Sequence, residues 1–411
     1  MVEFITLIYL AFMFIALYMF SFFIILTIKN KPKLFSYPKP NANLLVSVII
    51  PAYNEQDSIK QTIEHVINSN YPKNKLEVIV VNDGSTDNTL KIVKPLLKKY
   101  KNLELINKKN SGKANSLNLA IKKAKGELIA VVDSDSFPHH ESLKKLTGFF
   151  NDKKMGAVTS FVGVRNKERN FFAKIQSIEY LIMGWSRKLF DFIDSVWCTN
   201  GPLSLYRKSY ILKVGGFDPS TVTEDIDITW NLLNHGYKSG MCLDAHVTTI
   251  VPEKFRPWFR QRTRWGLGGL QALKKYRKMF FKKGMFGAFI LPFISLSVIL
   301  SIATFLFTSY LILRNIITRT LITSYSIYTD STILTFQEIN LYPSVIIFYF
   351  IVLFTLSISY SLYVLKKTHY EKNLTIKKFL NILFYILIYL TLYPIVWFAA
   401  IYRFIKQDFT W

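Results

Sequence analysis

Asp133 and Asp135 stand two residues apart with only Ser134 between them. Two carboxylates at that spacing can share a hard divalent cation. Mg2+ takes one or two protein carboxylates and fills its shell from phosphate oxygens and water. Other acids sit in comparable short polar runs: Glu55 in Pro51-Ala52-Tyr53-Asn54-Glu55, Asp83 and Asp87 in Asn82-Asp83-Gly84-Ser85-Thr86-Asp87, and the pair Glu224-Asp225. One such aspartate is usually a turn former. Asp87 and Glu224-Asp225 also precede helical patterns, whose positive ends favour carboxylates. Several acids gathered in this way need more explanation in a chain with 52 Lys+Arg against 27 Asp+Glu. A second cluster, Gln261-Arg262-Thr263-Arg264-Trp265, joins an amide, guanidiniums and an indole. On composition alone it reads as a membrane-interface group.

The elements around these residues follow one pattern between about residues 40 and 283. Leu45 to Ile50, Leu76 to Val81, Leu103 to Ile106 and Glu127 to Val132 read as strands, the first two as continuous β-branched runs buried on both faces. Glu55 to Asn70, Thr86 to Tyr100 and Ala114 to Lys125 read as helices between them. Alternation of this kind predicts an α/β domain with a doubly wound, mainly parallel sheet. Ligands of such sheets bind beyond the carboxyl ends of the strands, which is where the acidic runs fall.

Half the residues are hydrophobic, and they are unevenly spread. Phe4 to Ile28, Gly284 to Leu313, Asn340 to Leu365 and Phe379 to Tyr402 carry no charge, and about 20 apolar residues suffice to span a bilayer. Pro394 should kink the last. The first reads as an anchor and not a cleaved leader, because Glu3 precedes it, its apolar core is long and no small-x-small site follows. The expected organisation is a membrane helix in 1–30, a catalytic domain in 40–283 and about three membrane helices in 284–411. Lys29, Lys31 and Lys33, and the lysines between Lys366 and Lys378, place those flanks and the middle domain in the cytoplasm. The link with Arg314, Arg319, Asp330 and Glu338 sums to zero and suits the outside. On a four-span count the tail from Arg403 to Trp411 lies outside; a re-entrant segment at Pro394 would return it. Cys198 and Cys242, far apart and without metal-ligand spacing, read as free thiols. Apolar residues at helical spacing over 168–193, and the aromatic and basic stretch opening 252–283, read as interface helices, with ordinary core packing as the alternative. A net charge of +25 raises nucleic acid as a partner, but no nucleic-acid motif accompanies it. Anionic headgroups and phosphates on the cytoplasmic side account for it instead, so no nucleic-acid partner is expected.

In order, PAYNE (51–55), NDGSTD (82–87), SGKANSLN (111–118), DSD (133–135), TED (223–225) and QRTRW (261–265) resemble the motifs of family 2 inverting glycosyltransferases of the GT-A fold. The resemblance is specifically to the processive membrane synthases of cellulose, chitin, hyaluronan and poly-N-acetylglucosamine. It implies a UDP-sugar donor, UDP-GlcNAc first among candidates, a growing polysaccharide as acceptor, and Mg2+ or Mn2+ as cofactor. Asp83 would accept from the uracil imide, with Tyr53 and Glu55 lining the uridine pocket and Lys113 placing a positive charge near the nucleotide. Asp135 would ligate the metal, with Asp133 on metal or ribose. Asp225, with Glu224 beside it, would be the base taking the acceptor's proton. Gln261 and Arg264 would hold the pyrophosphate, and Trp265 would stack on the acceptor's terminal sugar. Asn200 and Gly201 resemble the acceptor-side loop of the hyaluronan and chitin branch, whereas Thr223-Glu224-Asp225-Ile226 and QRTRWGLGG lean to the cellulose and poly-N-acetylglucosamine branch. The markers conflict on the sugar. A few spans make a tight channel, leaving room for an accessory membrane subunit or an oligomer. A non-processive polyprenyl-phosphate glycosyltransferase is the alternative enzyme; a basic membrane-anchored nucleic-acid-binding protein is the alternative of another class.

Overall fold

A computed structural model describes residues 2–329, 345–368 and 375–409. Asp330, Glu338, Lys372, the start of the third apolar segment (340–344) and residues 410–411 lie outside the described residues. The chain opens with a long apolar helix, α1 (Val2–Asn30), and enters the sheet at β1 (Val46–Ala52). There follow α2 (Ile59–Ile67), β2 (Leu76–Asp83), α3 (Thr89–Lys99), β3 (Leu103–Lys108), α4 (Lys113–Lys123) and β4 (Leu128–Val131). Every residue of β1 and β2 is buried, because helices cover both faces. Val46, Val48 and Ile50 pack with Ile59, Ile63 and Val66 of α2. Ile49 and Ile79 point the other way, onto Leu117 and Ile121 of α4. Each aliphatic side chain so buried stabilises the domain by about 1.5–3 kcal/mol.

β1 runs two residues past its predicted end, through Pro51 paired with Val81 and Ala52 paired with Asn82. α2 and α3 start later than their patterns suggest, because the residues before them tie the strand ends together. The Asn54 side chain accepts from the Thr86 N–H at 2.8 Å, Glu55 N–H donates to Thr89 Oγ1 at 2.8 Å, and Gln56 N–H donates to Asp87 at 3.1 Å. Asp87 also accepts from the N–H of Thr89 at 2.9 Å, capping α3.

The second half adds β5 (Ser136–Pro138), α5 (Ser142–Thr147), β6 (Met155–Val164), α6 (Phe171–Asp191), β7 (Ser204–Arg207), α7 (Lys208–Lys213), α8 (Glu224–Asn234), β8 (Lys238–Thr249) and α9 (Phe255–Lys275). The eight strands form one sheet ordered β3-β2-β1-β4-β7-β6-β8-β5. Strands β3, β2, β1 and β4 are mutually parallel, and β6 is parallel to β8. β7 is antiparallel to both its neighbours and β5 to β8. The sheet is mixed and mostly parallel.

Helix α6 is buried on most of its circumference, from Ala173 to Phe190. It packs on β6 and β8 and touches α1 and the later apolar helices. Trp185 is 1% exposed and donates from its indole to Tyr360 at 3.0 Å. The helix therefore joins the domain to the apolar helices from inside the packing, without a free interfacial face at Trp185. The C-terminal region comprises α10 (Leu291–Tyr328), α11 (Val345–Lys367), α12 (Ile376–Phe384) and α13 (Tyr393–Ile405). Among the described residues four helical stretches are long and apolar enough to cross a membrane. α10 has 38 residues, about 57 Å at ~1.5 Å per residue. It continues straight through Arg314 and Arg319, which the charge pattern assigns to a link. A π-turn over Tyr385–Tyr389 and a 3-10 turn over Leu390–Leu392 interrupt the last segment just before Pro394.

Candidate active site

Parallel pairing brings the carboxyl ends of β1, β2 and β4 to one edge. Because β7 runs against β4, with Val131 opposite Ser204, the loop entering β7 arrives at the same edge. Gly201 accepts the Asp133 N–H at 3.1 Å, and a Cβ there would overlap the Asp133 carboxylate. Lys113, at the start of α4, donates to Asp133 Oδ1 at 2.6 Å and to Glu224 Oε1 at 2.7 Å. It thus clamps the end of β4 to the start of α8. Burial opposes the Lys113 charge, but Asp133, Glu224 and Asp225 outweigh it and hold the amine above its ordinary range. Asp135 receives Ser136 Oγ at 3.2 Å and Thr249 Oγ1 at 3.3 Å. Burial, then the neighbouring Asp133 and Glu55, push its carboxyl up to about 6.

Glu224 and Asp225 form the first turn of α8, where the helix dipole favours them. Their titration diverges. Burial works to raise Glu224, but Lys113 and then Arg264 hold it below the usual carboxylate range. Burial and then the adjacent Glu224 push Asp225 up to about 6, the range a general base uses near neutrality. Cys198 Sγ lies 3.8 Å from Asp225 Oδ2; burial and then Asp225 raise the thiol well above its ordinary value, so it stays a neutral donor. Asp83, at the end of β2, accepts the N–H groups of Ser111 and Gly112, each at 2.9 Å, and Lys108. It holds the loop that leads into Lys113.

Across the cavity α9 carries the Gln-x-x-Arg-Trp residues. Arg264 donates to the Val222 carbonyl at 3.1 Å, just before Glu224. Trp265 lies under the Arg262 guanidinium, 4.1 Å from the ring centroid. Arg262 is fully buried and forks onto Glu179 of α6, Nε to Oε1 at 3.0 Å and Nη2 to Oε2 at 2.6 Å. It also donates to the Gln261 side chain. Tyr389 donates to Glu179 Oε2 at 2.6 Å, Tyr393 donates to Glu179 Oε1, and the Trp258 indole N–H donates to Tyr389 Oη at 2.6 Å. On its other side α9 meets α8 with no room to spare, since a Cβ on Gly268 would overlap Thr223. Toward α13, a Cβ on Gly266 would lie 3.1 Å from that of Ala400.

All of this surrounds one cavity of about 790 Å³. It runs from Asp83, Asp133 and Asp135, past Asp225 and Trp265, to Phe293, Ser297 and Trp397 on the apolar helices. Residues 47–215 match the model described as Glycosyl transferase family 2. That stretch, from β1 past β7 into the loop after α7, is similar to family 2 glycosyltransferases. Among relatives, the probable glycosyltransferase YdaM of Bacillus subtilis is 35% identical over 246 residues, 58% of each chain. The poly-beta-1,6-N-acetyl-D-glucosamine synthase of Staphylococcus aureus is 32% identical over 250 residues, 60% of each chain. The similarity thus spans about three-fifths of those relatives' length. A mannosyltransferase from Pyrobaculum calidifontis, solved in complex with GDP-Man and Mn2+, shares the fold: it has a TM-score of 0.61 at 20% identity, over 97% of this chain and 99% of that one.

Tyr53, Glu55, Asp83, Lys113, Asp133, Asp135, Asn200, Gly201, Glu224, Asp225, Gln261, Arg264 and Trp265 all line the cavity, the last five beyond the matched residues. Asn200 is buried, its Oδ1 accepting from Thr159 Oγ1 at 2.6 Å and its amide nitrogen without a partner among the described residues. Asp133 and Asp135 fit a divalent cation: two hard oxygen donors, with Asp135 raised by burial and then by its acidic neighbours, beside open cavity for phosphate oxygens. Sequence reasoning did not identify Glu179, Arg262, Tyr389, Tyr393 or Cys198. Their partners lie as far as 214 residues away, and apart from Arg262, which stands among Gln261, Arg264 and Trp265, no local motif marks them. The available signals were a glutamate within an apolar helical stripe and tyrosines four apart in the final segment.

Proposed function

We propose that the chain is an inverting, processive β-glycosyltransferase that polymerises a UDP-sugar, UDP-GlcNAc first, and passes the polymer between its membrane helices. The observation that carries this is the single cavity reaching from the acid cluster to the apolar helices. The resemblance of 60% of the chain to a poly-N-acetylglucosamine synthase supports the sugar. Asp83, Tyr53 and Glu55 bind the nucleoside. Asp133 and Asp135 hold Mg2+ or Mn2+, which when bound supplies Lewis-acid neutralisation of the leaving diphosphate. Arg264 and Gln261 orient that diphosphate, and Lys113 keeps Asp133 and Glu224 in register. Trp265 presents a flat face to the acceptor sugar. Asp225 accepts the proton of the acceptor hydroxyl as its oxygen attacks the anomeric carbon from the side opposite the diphosphate. The basic flanks set the domain in the cytoplasm of a multi-pass membrane protein.

The test is to give purified full-length protein UDP-GlcNAc, UDP-Glc and UDP-GlcA separately, with Mg2+ or Mn2+, and to measure UDP release and product size. Polymer from UDP-GlcNAc is expected. A product of one sugar on a lipid acceptor would replace the processive reading with transfer to polyprenyl phosphate, which the apolar lining at Phe293, Ile294 and Val298 favours. Asp225→Asn should abolish synthesis while UDP binding persists; retained synthesis would remove Asp225 from its role.

A further inference from the structure

Beside the catalytic cavity, and sharing Gln261 and Arg264 with it, lies a second concavity of about 610 Å³ walled by Pro252, Arg256, Pro257 and Arg260. Arg256, Arg260 and Arg264 follow one another at four-residue steps along α9, so their guanidiniums rise on successive turns of one face. Like charges at that spacing destabilise a helix. Arg256 also stands in the first turn of α9, which contains no acid, where the positive end of the helix dipole repels a cation. Arg256 and Arg260 are both exposed, and neither has an ionic or hydrogen-bonding partner among the described residues. The nearest acid in sequence, Glu253, is taken by Arg169 at 3.1 Å and Asn166 at 2.9 Å.

Arg256 and Arg260 are therefore held against each other's repulsion and that of Arg264 around a concave wall stiffened by two prolines, without a counterion of their own among the described residues. A guanidinium fork matches phosphate oxygens in pairs. We infer that Arg256 and Arg260 form a binding site for a phosphate-bearing group, separate from the donor's diphosphate and adjoining its cavity. Phe255, 52% exposed and stacked on Phe259 at 5.8 Å between centroids, flanks the arginines. The helix's other side packs along α13. A lipid headgroup and a free anion present the same oxygens to such a site. It stands whether the acceptor is a polymer or a lipid.

The experiment uses the full chain in nanodiscs with the donor site filled by UDP and Mg2+. In one arm inorganic phosphate is titrated calorimetrically in phosphatidylcholine discs. In the other, native mass spectrometry counts phosphatidylglycerol retained from mixed discs. The double variant Arg256→Gln/Arg260→Gln should lose binding in at least one arm, by about tenfold for each guanidinium removed. Loss in the first arm assigns a soluble anion and loss in the second a lipid headgroup. Arg256→Lys/Arg260→Lys should recover part of it, since charge returns without the fork. No difference between wild type and the glutamine variant in either arm overturns the site. A fall in the variant's affinity for UDP also overturns it, because the groove would then belong to the donor pocket.

Discussion

Replacing Glu179 with glutamine removes one charge and almost no volume from the pair it forms with Arg262, whose side chains are 3% and 1% exposed. In the native protein the carboxylate receives both arms of the guanidinium, at 3.0 and 2.6 Å, and two tyrosine hydroxyls. Glutamine keeps one acceptor oxygen and turns an NH2 toward groups that are themselves donors. Breaking one side of a buried ion pair costs about 3–5 kcal/mol, and the retained oxygen favours the lower end. At about 2–4 °C per kcal/mol for a domain of this size, that is a fall of roughly 6–12 °C in melting temperature. Arg262 also lies over Trp265 at 4.1 Å. The same change should therefore raise KM for an acceptor oligosaccharide while leaving the affinity for UDP unaltered. Glu179→Gln/Arg262→Gln should recover part of the stability, because no uncompensated charge remains. The assays are thermal unfolding of the detergent-solubilised protein and separate titration of donor and acceptor. If the single variant melts with wild type, or the double variant melts lower than the single, charge compensation is not what holds this junction together.

The rate of transfer should fall as pH drops through about 6, where Asp225 takes up its proton. Glu224→Gln should move that inflection to lower pH, by removing the negative neighbour. Lys113→Met should move it higher, by removing a positive one, and initial-rate pH profiles separate the two. Gly268→Ala should push α9 off Thr223 at a cost of about 1–3 kcal/mol. Calorimetric UDP affinity is expected to persist while product formation collapses. Tyr393→Phe removes one of the two tyrosine donors to Glu179. It should destabilise by about 1.5 kcal/mol, a smaller melting shift than Glu179→Gln.

The acid cluster was legible because it obeys a rule of topology. Asp83 and Asp133 follow hydrophobic runs that read as parallel strands, and parallel strands must deliver their carboxyl ends to one edge. Asp225 was legible as the first turn of a helix, although its distance from Asp133 was not, because only Lys113 bridging to Glu224 fixes it. The Glu179–Arg262 junction was hidden, since a buried pair between α6 and α9 leaves no periodic trace. Arg262 also sits within a motif whose other members drew the interpretation. The length of α10 was misjudged for a different reason. Arg314 and Arg319 end an uncharged run, but a helix has no need to stop where the bilayer does.

The close fit of α9 between Thr223 and Ala400 fixes the calibre of the machine. Asp225, the proposed general base, sits two residues beyond the contact of one face, and the Trp265 indole projects from α9 itself. Their separation is thus set by the thickness of a helix lined with hydrogen atoms at Gly266 and Gly268. A wider or narrower sugar cannot be accommodated by sliding these parts. It must be met by side chains that protrude into the gap, Trp265 and Trp397 foremost. In descendants of this sequence, a change of product should be written in those protruding residues while the two glycines stay as they are.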